Sequence, residues 1–281
     1  MELKKSIEKA KQQRAQARKK AAEGAAAKAA ARKEAPRPEE AAPTNGWNAP
    51  VYSESHSILL DRKKLLKNRC ISLFMNSSDA EYYKVLRTNI MQRTRDKNWN
   101  TIMVTSVQPG EGKTLTSINL AAAFAKEYNQ TVLLVDCDLR RQNIHKYLDY
   151  PFDKGIADYL MNGCALKDLI IWPNIEKLTL ISGGKTIPNS TELLGSPKMK
   201  SLVKEIKQRY DNRYVIFDVP PVLSSADAIA FAPLVDCILM VVEEGRTSIK
   251  DVKKALEMLP HEKFIGYVLN RRKAPIRGYY Y

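Results

Sequence analysis

One stretch constrains the fold more than any other, Val104-Thr-Ser-Val-Gln-Pro-Gly-Glu-Gly-Lys-Thr114. Before it, Thr101-Ile-Met-Val-Thr105 is a β-branched and apolar run that suits a buried strand. After it, Leu115 to Lys126 carries apolar residues and alanines at the spacing of a helix. The residues between follow the pattern G-x-x-x-x-G-K-[ST], with Val107 in place of the first glycine. The stretch therefore predicts a strand, a phosphate-binding loop and a helix.

The residues of this loop suit the phosphates of a nucleotide such as ATP. Gly110 and Gly112 allow backbone N–H groups to turn toward an anion. Lys113 can reach the β- and γ-phosphates, and the Thr114 hydroxyl can ligate Mg²⁺. The residues expected to contact ATP are Gln108, Pro109, Gly110, Glu111, Gly112, Lys113, Thr114 and Leu115. The alternative is a glycine turn that carries Gly-Lys-Thr by chance.

Composition narrows the class of protein. The 281 residues have room for one large α/β domain with a tail, and 46 Lys+Arg against 31 Asp+Glu indicate an anionic partner. The four cysteines are far apart, which argues against a disulfide framework or a zinc site. No apolar run approaches the length of a membrane span, and the start of the chain lacks an apolar signal region. We therefore expect a cytoplasmic protein.

Residues 1–46 form a basic, low-complexity segment, predicted to be helical or disordered. Positions 1–40 contain 12 Lys+Arg and 6 Asp+Glu, a net charge of +6. A solvated tail is the plainest interpretation, and attraction to anionic lipid is an alternative. Nucleic acid is disfavoured because no aromatic residues interleave with the charges. Residues 47–77 are a linker and a segment that the pattern does not place.

From residue 78 to 270, strands alternate with helices, which predicts a mostly parallel sheet with helices on both faces. Asp136 and Asp138 end the run Thr131-Val-Leu-Leu-Val-Asp-Cys-Asp, and Asp218 ends Tyr214-Val-Ile-Phe-Asp. Ligands bind at the carboxyl ends of parallel strands, so these carboxylates are expected beside the phosphate loop. Asp218 is a candidate ligand of Mg²⁺. Asn270, at the end of the last predicted strand, is a candidate for the adenine.

Two further segments flank this core. A helix is predicted from Ser78, with Val85, Ile90 and Met91 facing inward. Its polar residues recur every three positions and line one face: Glu81, Lys84 and Arg87. At the other end, residues 271–281 are expected to be mobile and close with Tyr279, Tyr280 and Tyr281.

Together these motifs resemble the bacterial tyrosine autokinases of polysaccharide export loci. The resemblance covers about residues 78–270, and includes Thr191-Glu-Leu-Leu-Gly-Ser-Pro-Lys-Met. The subgroup that it most resembles lies in exopolysaccharide loci with exosortase systems. These are P-loop kinases paired with a Wzz-type membrane chain-length regulator, so the resemblance implies a peripheral position at the inner face of the membrane.

The resemblance also implies roles for single residues. Lys113 and Thr114 would hold phosphates and Mg²⁺, and Asp138 and Asp218 would act at the metal. Asp136 would be the base that takes the proton of a tyrosine. The acceptors would be Tyr279–Tyr281, presented to a neighbouring subunit of a ring whose interface helix carries E-x-x-R-x-x-R. That motif reads Glu81-x-x-Lys84-x-x-Arg87 here, and the lysine keeps the charge but loses the bidentate fork of arginine.

Two other functions remain open from the residues. One is a partitioning or positioning ATPase of the deviant-Walker class, which carries K-G-G-x-G-K-T. The signature lysine of that class is replaced by Gln108 here, and the tyrosine cluster also disfavours it. The other is a nucleotide-bound scaffold without catalysis, which the full set of site residues disfavours.

Overall fold

The computed structural model describes residues 56–73, 78–209 and 212–272. Within them, the strands are β1 His56–Ser57, β2 Thr101–Ser106, β3 Thr131–Asp136, β4 Ile170–Trp172, β5 Leu178–Ile181, β6 Arg213–Asp218, β7 Cys237–Glu243 and β8 Phe264–Asn270. They form one sheet in the order β1-β4-β5-β3-β6-β2-β7-β8. Neighbouring strands run parallel except β4 and β5, which pair antiparallel. The predicted α/β fold with a mostly parallel sheet is therefore confirmed.

Nine α-helices connect these strands in the described ranges. They are α1 Arg62–Lys67, α2 Ser78–Thr94, α3 Lys113–Ala125, α4 Ile144–Leu148, α5 Ile156–Asn162, α6 Thr191–Leu194, α7 Pro197–Gln208, α8 Asp227–Phe231 and α9 Ile249–Glu257. Short 3-10 turns cover Ile71–Leu73, Arg95–Lys97, Leu166–Leu169, Ala232–Leu234 and His261–Lys263. None of the helices in this part of the chain is long and apolar enough to cross a bilayer.

The helices cover both faces of the sheet. Successive residues of one strand therefore pack in different cores. Ile102 and Val104 pack in a core with α1, α2, α3 and α4, whereas Met103 packs in the core of the opposite face. The central strands β2, β3 and β6 are buried along their whole length. Burial on both faces explains their continuous apolar runs.

Helix α2 corrects one expectation. Ile90 and Met91 are buried as predicted, but Val85 is 54% exposed. Five residues separate Val85 from Ile90, which turns it about 140° around a helix. Leu86, four residues before Ile90, packs on the core instead.

The segment before α2 packs on the same domain. Leu65 and Cys70 are fully buried, and His56 and Ser57 pair with β4. Two strands, β1 and β4, went unpredicted because two or three residues are too few to show alternation. The predicted basic segment 1–46 and the tyrosines Tyr279–Tyr281 lie outside the described residues.

The burial of Leu65 predicts that α1 stabilises the domain. Leu65→Ala should lower the free energy of unfolding by about 2–5 kcal/mol, since it removes a fully buried side chain. Leu66→Ala is the matched control in the same helix, and at 37% exposure it should cost less than about 1 kcal/mol. Urea denaturation followed by circular dichroism measures both. Equal losses for the two variants would contradict a core role for α1.

Candidate active site

The phosphate loop turns between β2 and α3 through two glycines in the left-handed region. Gly110 has φ of 87° and Gly112 has φ of 95°. A Cβ at Gly112 would lie 2.1 Å from Nδ2 of Asn270, so this position also needs glycine for space. Val107, which replaces the first glycine of the motif, has no positive φ and is fully buried in the core. The departure from the general pattern is therefore compatible with the loop.

A buried carboxylate holds this loop from within. Glu111 is only 1% exposed, and its Oε2 accepts the backbone N–H of Gln108 at 2.9 Å. Its Oε1 accepts the hydroxyl of Thr247, which lies just before α9, at 2.5 Å. From the last strand, Asn270 donates through Nδ2 to the Glu111 carbonyl at 2.8 Å. The loop is therefore fastened to two elements that follow it by more than 130 residues.

The lysine of the loop lies among carboxylates. Lys113 Nζ is 2.9 Å from Asp138 and 3.3 Å from Asp218, and all three side chains are nearly inaccessible to solvent. Thr114 donates its hydroxyl to Asp218 at 2.6 Å. The sheet explains this convergence, because β6 lies between β3 and β2 and its Asp218 is in register with Asp136 of β3. The predicted set Lys113, Thr114, Asp138 and Asp218 thus meets at one point.

Asp136 lies behind this point. It is 1% exposed, and its two oxygens accept the backbone N–H groups of Asp138 at 3.1 Å and Ile144 at 3.2 Å. Its carboxylate therefore shapes the loop that carries Asp138 and leads into α4. Asp138, in contrast, lines the open pocket.

Burial and charge act against each other here. Burial raises the pKa of Asp136, and the charge of Asp218 raises it further. Burial also raises the pKa of Asp218, although the charge of Lys113 opposes this. For Lys113, burial alone would lower the pKa, but the charges of Asp218, Asp138 and Asp136 raise it above its ordinary value. Three carboxylates and one ammonium give the ionised cluster a net charge of −2, which a divalent cation would balance.

The donor set fits Mg²⁺. Thr114, Asp138 and Asp218 offer only oxygen ligands, which this hard cation prefers. In the described part of the chain, no group of three or more His, Cys, Asp or Glu is arranged to hold a metal by itself. Magnesium in nucleotide sites is usually bound through one or two carboxylates together with the phosphates of the substrate.

A cavity of about 460 Å³ opens beside this cluster. Of the predicted ATP contacts, Pro109, Gly110, Gly112, Lys113 and Thr114 line it. Its other walls are residues that the sequence did not single out: Arg140, Arg141, Asn143, Tyr147, Pro220, Pro221, Ser224, Ser225 and Arg271. All of them follow the carboxyl ends of β3, β6 or β8. Their position after a predicted strand is the sequence feature that could have identified them as pocket residues.

The remaining predicted nucleotide contacts lie outside the cavity wall. Gln108 directs its side-chain amide to Asp251 at 3.1 Å, and Leu115 packs against the core beneath α3. Glu111 and Asn270 brace the loop through the bonds described above. These four predictions are untested as contacts to ATP.

A distant acid positions one wall of the pocket. Asp227, at the start of α8, is fully buried and pairs with Arg140 at 3.0 Å. It also accepts the hydroxyl of Ser190 at 2.5 Å and that of Thr191. Because a buried charge needs such partners, this network fixes Arg140 at the rim.

The predicted interface residues lie on α2. Lys84 Nζ pairs with Glu81 at 2.8 Å across one turn. Arg87 pairs with Glu127 at 2.9 Å and donates to the Ala123 carbonyl at 3.1 Å, so its guanidinium joins α2 to the end of α3. Tyr82 and Val85 lie nearby on the helix, and both are more than half exposed.

Comparison with known proteins agrees with this geometry. Residues 99–263, more than half of the chain, match the AAA domain family. The tyrosine-protein kinase YwqD of Bacillus subtilis strain 168 is 35% identical over 199 residues, which cover 70% of this chain and 83% of YwqD. The chain belongs to the bacterial tyrosine kinases.

Further relatives support this membership. The tyrosine-protein kinase CpsD of Streptococcus pneumoniae serotype 4 is 34% identical over 202 residues, which cover 71% of this kinase and 87% of CpsD. The solved kinase domain of the Escherichia coli tyrosine kinase ETK superposes with a TM-score of 0.66 at 27% identity. That match covers 83% of this kinase and 95% of the ETK domain.

The bracing of the loop predicts an effect on nucleotide binding. Thr247→Val removes the hydroxyl that Glu111 accepts, leaves a buried carboxylate oxygen without this partner and should weaken ATP binding about tenfold. Isothermal titration calorimetry with ATP and Mg²⁺ measures the change. The control is Thr179→Val, the same substitution at a buried site in β5. Unchanged affinity in Thr247→Val would show that the loop does not need this contact.

Proposed function

We propose that this kinase transfers the γ-phosphoryl group of ATP to Tyr279, Tyr280 and Tyr281 of a neighbouring copy. The observation that carries the proposal is the convergence of Lys113, Thr114 and two strand-end aspartates beside a cavity of about 460 Å³. The tyrosine cluster at the end of the sequence supplies phenols as acceptors. Membership of a tyrosine kinase family supports the reaction class.

Each group has a task in this reaction. Lys113 leaves its ion pairs with Asp138 and Asp218 for the phosphates, since an ammonium has too few donors for both sets. Thr114, Asp138 and Asp218 would hold Mg²⁺, which would supply positive charge beside the phosphates. Arg141, an exposed side chain at the cavity wall, adds positive charge there.

The proton of the attacking phenol goes to a carboxylate. Asp136 and Asp138 are the candidates. The position of Asp138 at the cavity wall favours it as the group that touches the acceptor. The two backbone bonds to Asp136 favour a positioning role for that carboxylate, which keeps the loop of Asp138 in place.

Transfer between copies predicts complementation of two inactive variants. Lys113→Met retains the tyrosines but lacks the phosphate lysine, and the triple variant Tyr279→Phe/Tyr280→Phe/Tyr281→Phe retains the site but lacks acceptors. Mixed with ATP and Mg²⁺, they should yield phosphate on the C-terminal peptide of the Lys113→Met chain. Mass spectrometry distinguishes the two peptides because each lost hydroxyl changes the mass.

The controls are each variant alone, which should remain unlabelled, and the parent chain, which should label itself. A parent chain that labels itself while the mixture stays unlabelled would contradict transfer between copies. Phosphate on the triple variant alone would place the acceptor elsewhere in the chain. Retained ATP turnover without any phosphotyrosine would instead favour a partitioning ATPase.

We also propose that the copies assemble through α2 into a ring. Glu81 and Lys84 are accessible, and the exposed Tyr82 and Val85 provide apolar contact on the same helix. Arg87 is already bound to Glu127, so it contributes through the joined ends of α2 and α3. A mixed apolar and charged surface of this kind suits a contact between subunits.

This assembly predicts that Glu81→Ala/Lys84→Ala is folded but monomeric. The exposed ion pair adds little to stability, so the melting temperature should change by less than a few degrees. Self-phosphorylation should fall at least about tenfold, since the neighbour's tail loses its high local concentration. Light scattering and labelling measure the two effects. The control Lys253→Ala/Glu257→Ala removes the same residue types from exposed positions of α9. An unchanged oligomer would contradict the interface.

The cellular role follows from the same proposal. Phosphorylation of the tail would regulate polymerisation or export of an exopolysaccharide. A Wzz-type chain-length regulator would hold the kinase at the inner face of the membrane. The net charge of +6 in residues 1–40 would add attraction to anionic lipid.

A further inference from the structure

The folded domain carries a concentrated positive surface that is separate from residues 1–46. It consists of the exposed residues Arg62, Lys63, Lys64, Lys67 and Arg69 in and after α1, with Lys146 on the adjacent α4. We call these six residues the basic surface. Two contacts join α1 to the region of α4: the Asn68 side-chain amide donates to the Tyr147 carbonyl at 2.8 Å, and Lys64 pairs with Asp149.

The acids nearby are already engaged. Asp61 is the N-cap of α1 and accepts the backbone N–H of Lys63 at 2.8 Å. Asp149 is the partner of Lys64. Lys63, Lys67 and Arg69 form no ion pair with any residue that the structure describes. The basic surface and these two acids together have a net charge of +4, and three of its cations are available to an anionic partner.

An exposed apolar residue adjoins these charges. Leu59, three residues before Arg62, is 88% exposed, the highest value among the exposed large hydrophobic residues of the described ranges. The exposed apolar residue beside these charges is a leucine, whereas nucleic acid bases stack on aromatic side chains. A cationic surface beside an exposed leucine suits a bilayer, in which charge and acyl chains occur together.

We propose that the basic surface and Leu59 bind anionic phospholipids at a membrane. Helix α1 has six residues and a length of about 9 Å, too short to act as an inserted amphipathic anchor. The contact is therefore mainly electrostatic, with Leu59 reaching into the interface. Because Tyr147 lines the cavity, this mode of binding holds the wall of the active site next to the lipid.

The test is vesicle sedimentation with the full chain. Vesicles of phosphatidylglycerol and phosphatidylcholine should bind the parent chain, whereas pure phosphatidylcholine should not. Lys63→Gln/Lys67→Gln/Arg69→Gln should weaken binding at least about tenfold, since each cation near an anionic surface contributes substantially. Leu59→Ser keeps every charge and should weaken it about threefold. Salt at about 1 M should abolish binding, because the screening length is then about 3 Å.

The matched control is Lys200→Gln/Lys204→Gln/Lys253→Gln, which removes three exposed charges from α7 and α9. It should change vesicle binding by less than about threefold, and circular dichroism should show that every variant is folded. Equal losses of vesicle binding in the two triple variants would show that only the net charge of the protein matters. That result would overturn the proposal. Full binding by the basic-surface variant would assign the lipid contact to other residues. A variant that loses only binding to duplex DNA would identify nucleic acid as the partner.

Discussion

The ion pairs of Lys113 with Asp138 and Asp218 are the interaction on which the rest of the site depends. A buried ammonium is costly without partners, and so are the carboxylates around it. Each therefore stabilises the others only if β2, β3 and β6 end at the same level beside one another. The register between Asp136 and Asp218 provides this alignment. The charges of the site are consequently balanced only when the strands are in this order.

The phosphate loop beside this cluster is braced by residues outside the loop. A phosphate loop must present its N–H groups before the ligand arrives if binding is not to bear the cost of ordering it. Glu111 and Asn270 achieve this by joining the loop to Thr247 and to the end of β8. Gly112 then has space for hydrogen only, because the Asn270 amide occupies the position of a Cβ. The sequence predicts Glu111 and Asn270 as nucleotide contacts. In the described structure both of them stabilise the conformation of the loop.

Local patterns predicted the elements that depend on local physics. Continuous apolar runs identified the central strands β2, β3 and β6, and the pair Lys113-Thr114 with the strand-end aspartates identified the centre of the site. The sequence could not predict the bond between Arg140 and Asp227, because the partners are 87 residues apart and only the packed fold brings them together. Val85 was placed wrongly for a related reason. Residues three or four positions apart share a face of a helix, and Val85 is five positions from Ile90. The sequence pattern alone did not show whether Val85 or Leu86 lies on the buried face.

The position of Arg271 bears on how the acceptors reach a site. Arg271 lines the cavity and is held by Glu243 at 3.1 Å, so the tail begins at the rim of its own site. Eight residues lie between Arg271 and Tyr280, and nine extended steps span at most about 30–32 Å. Closing such a short loop costs little entropy. The length of the tail therefore does not favour transfer to a neighbouring subunit over transfer within one chain. The proposed assembly through the exposed face of α2 would supply this preference, because a subunit held there would raise the local concentration of its tail at the adjacent cavity.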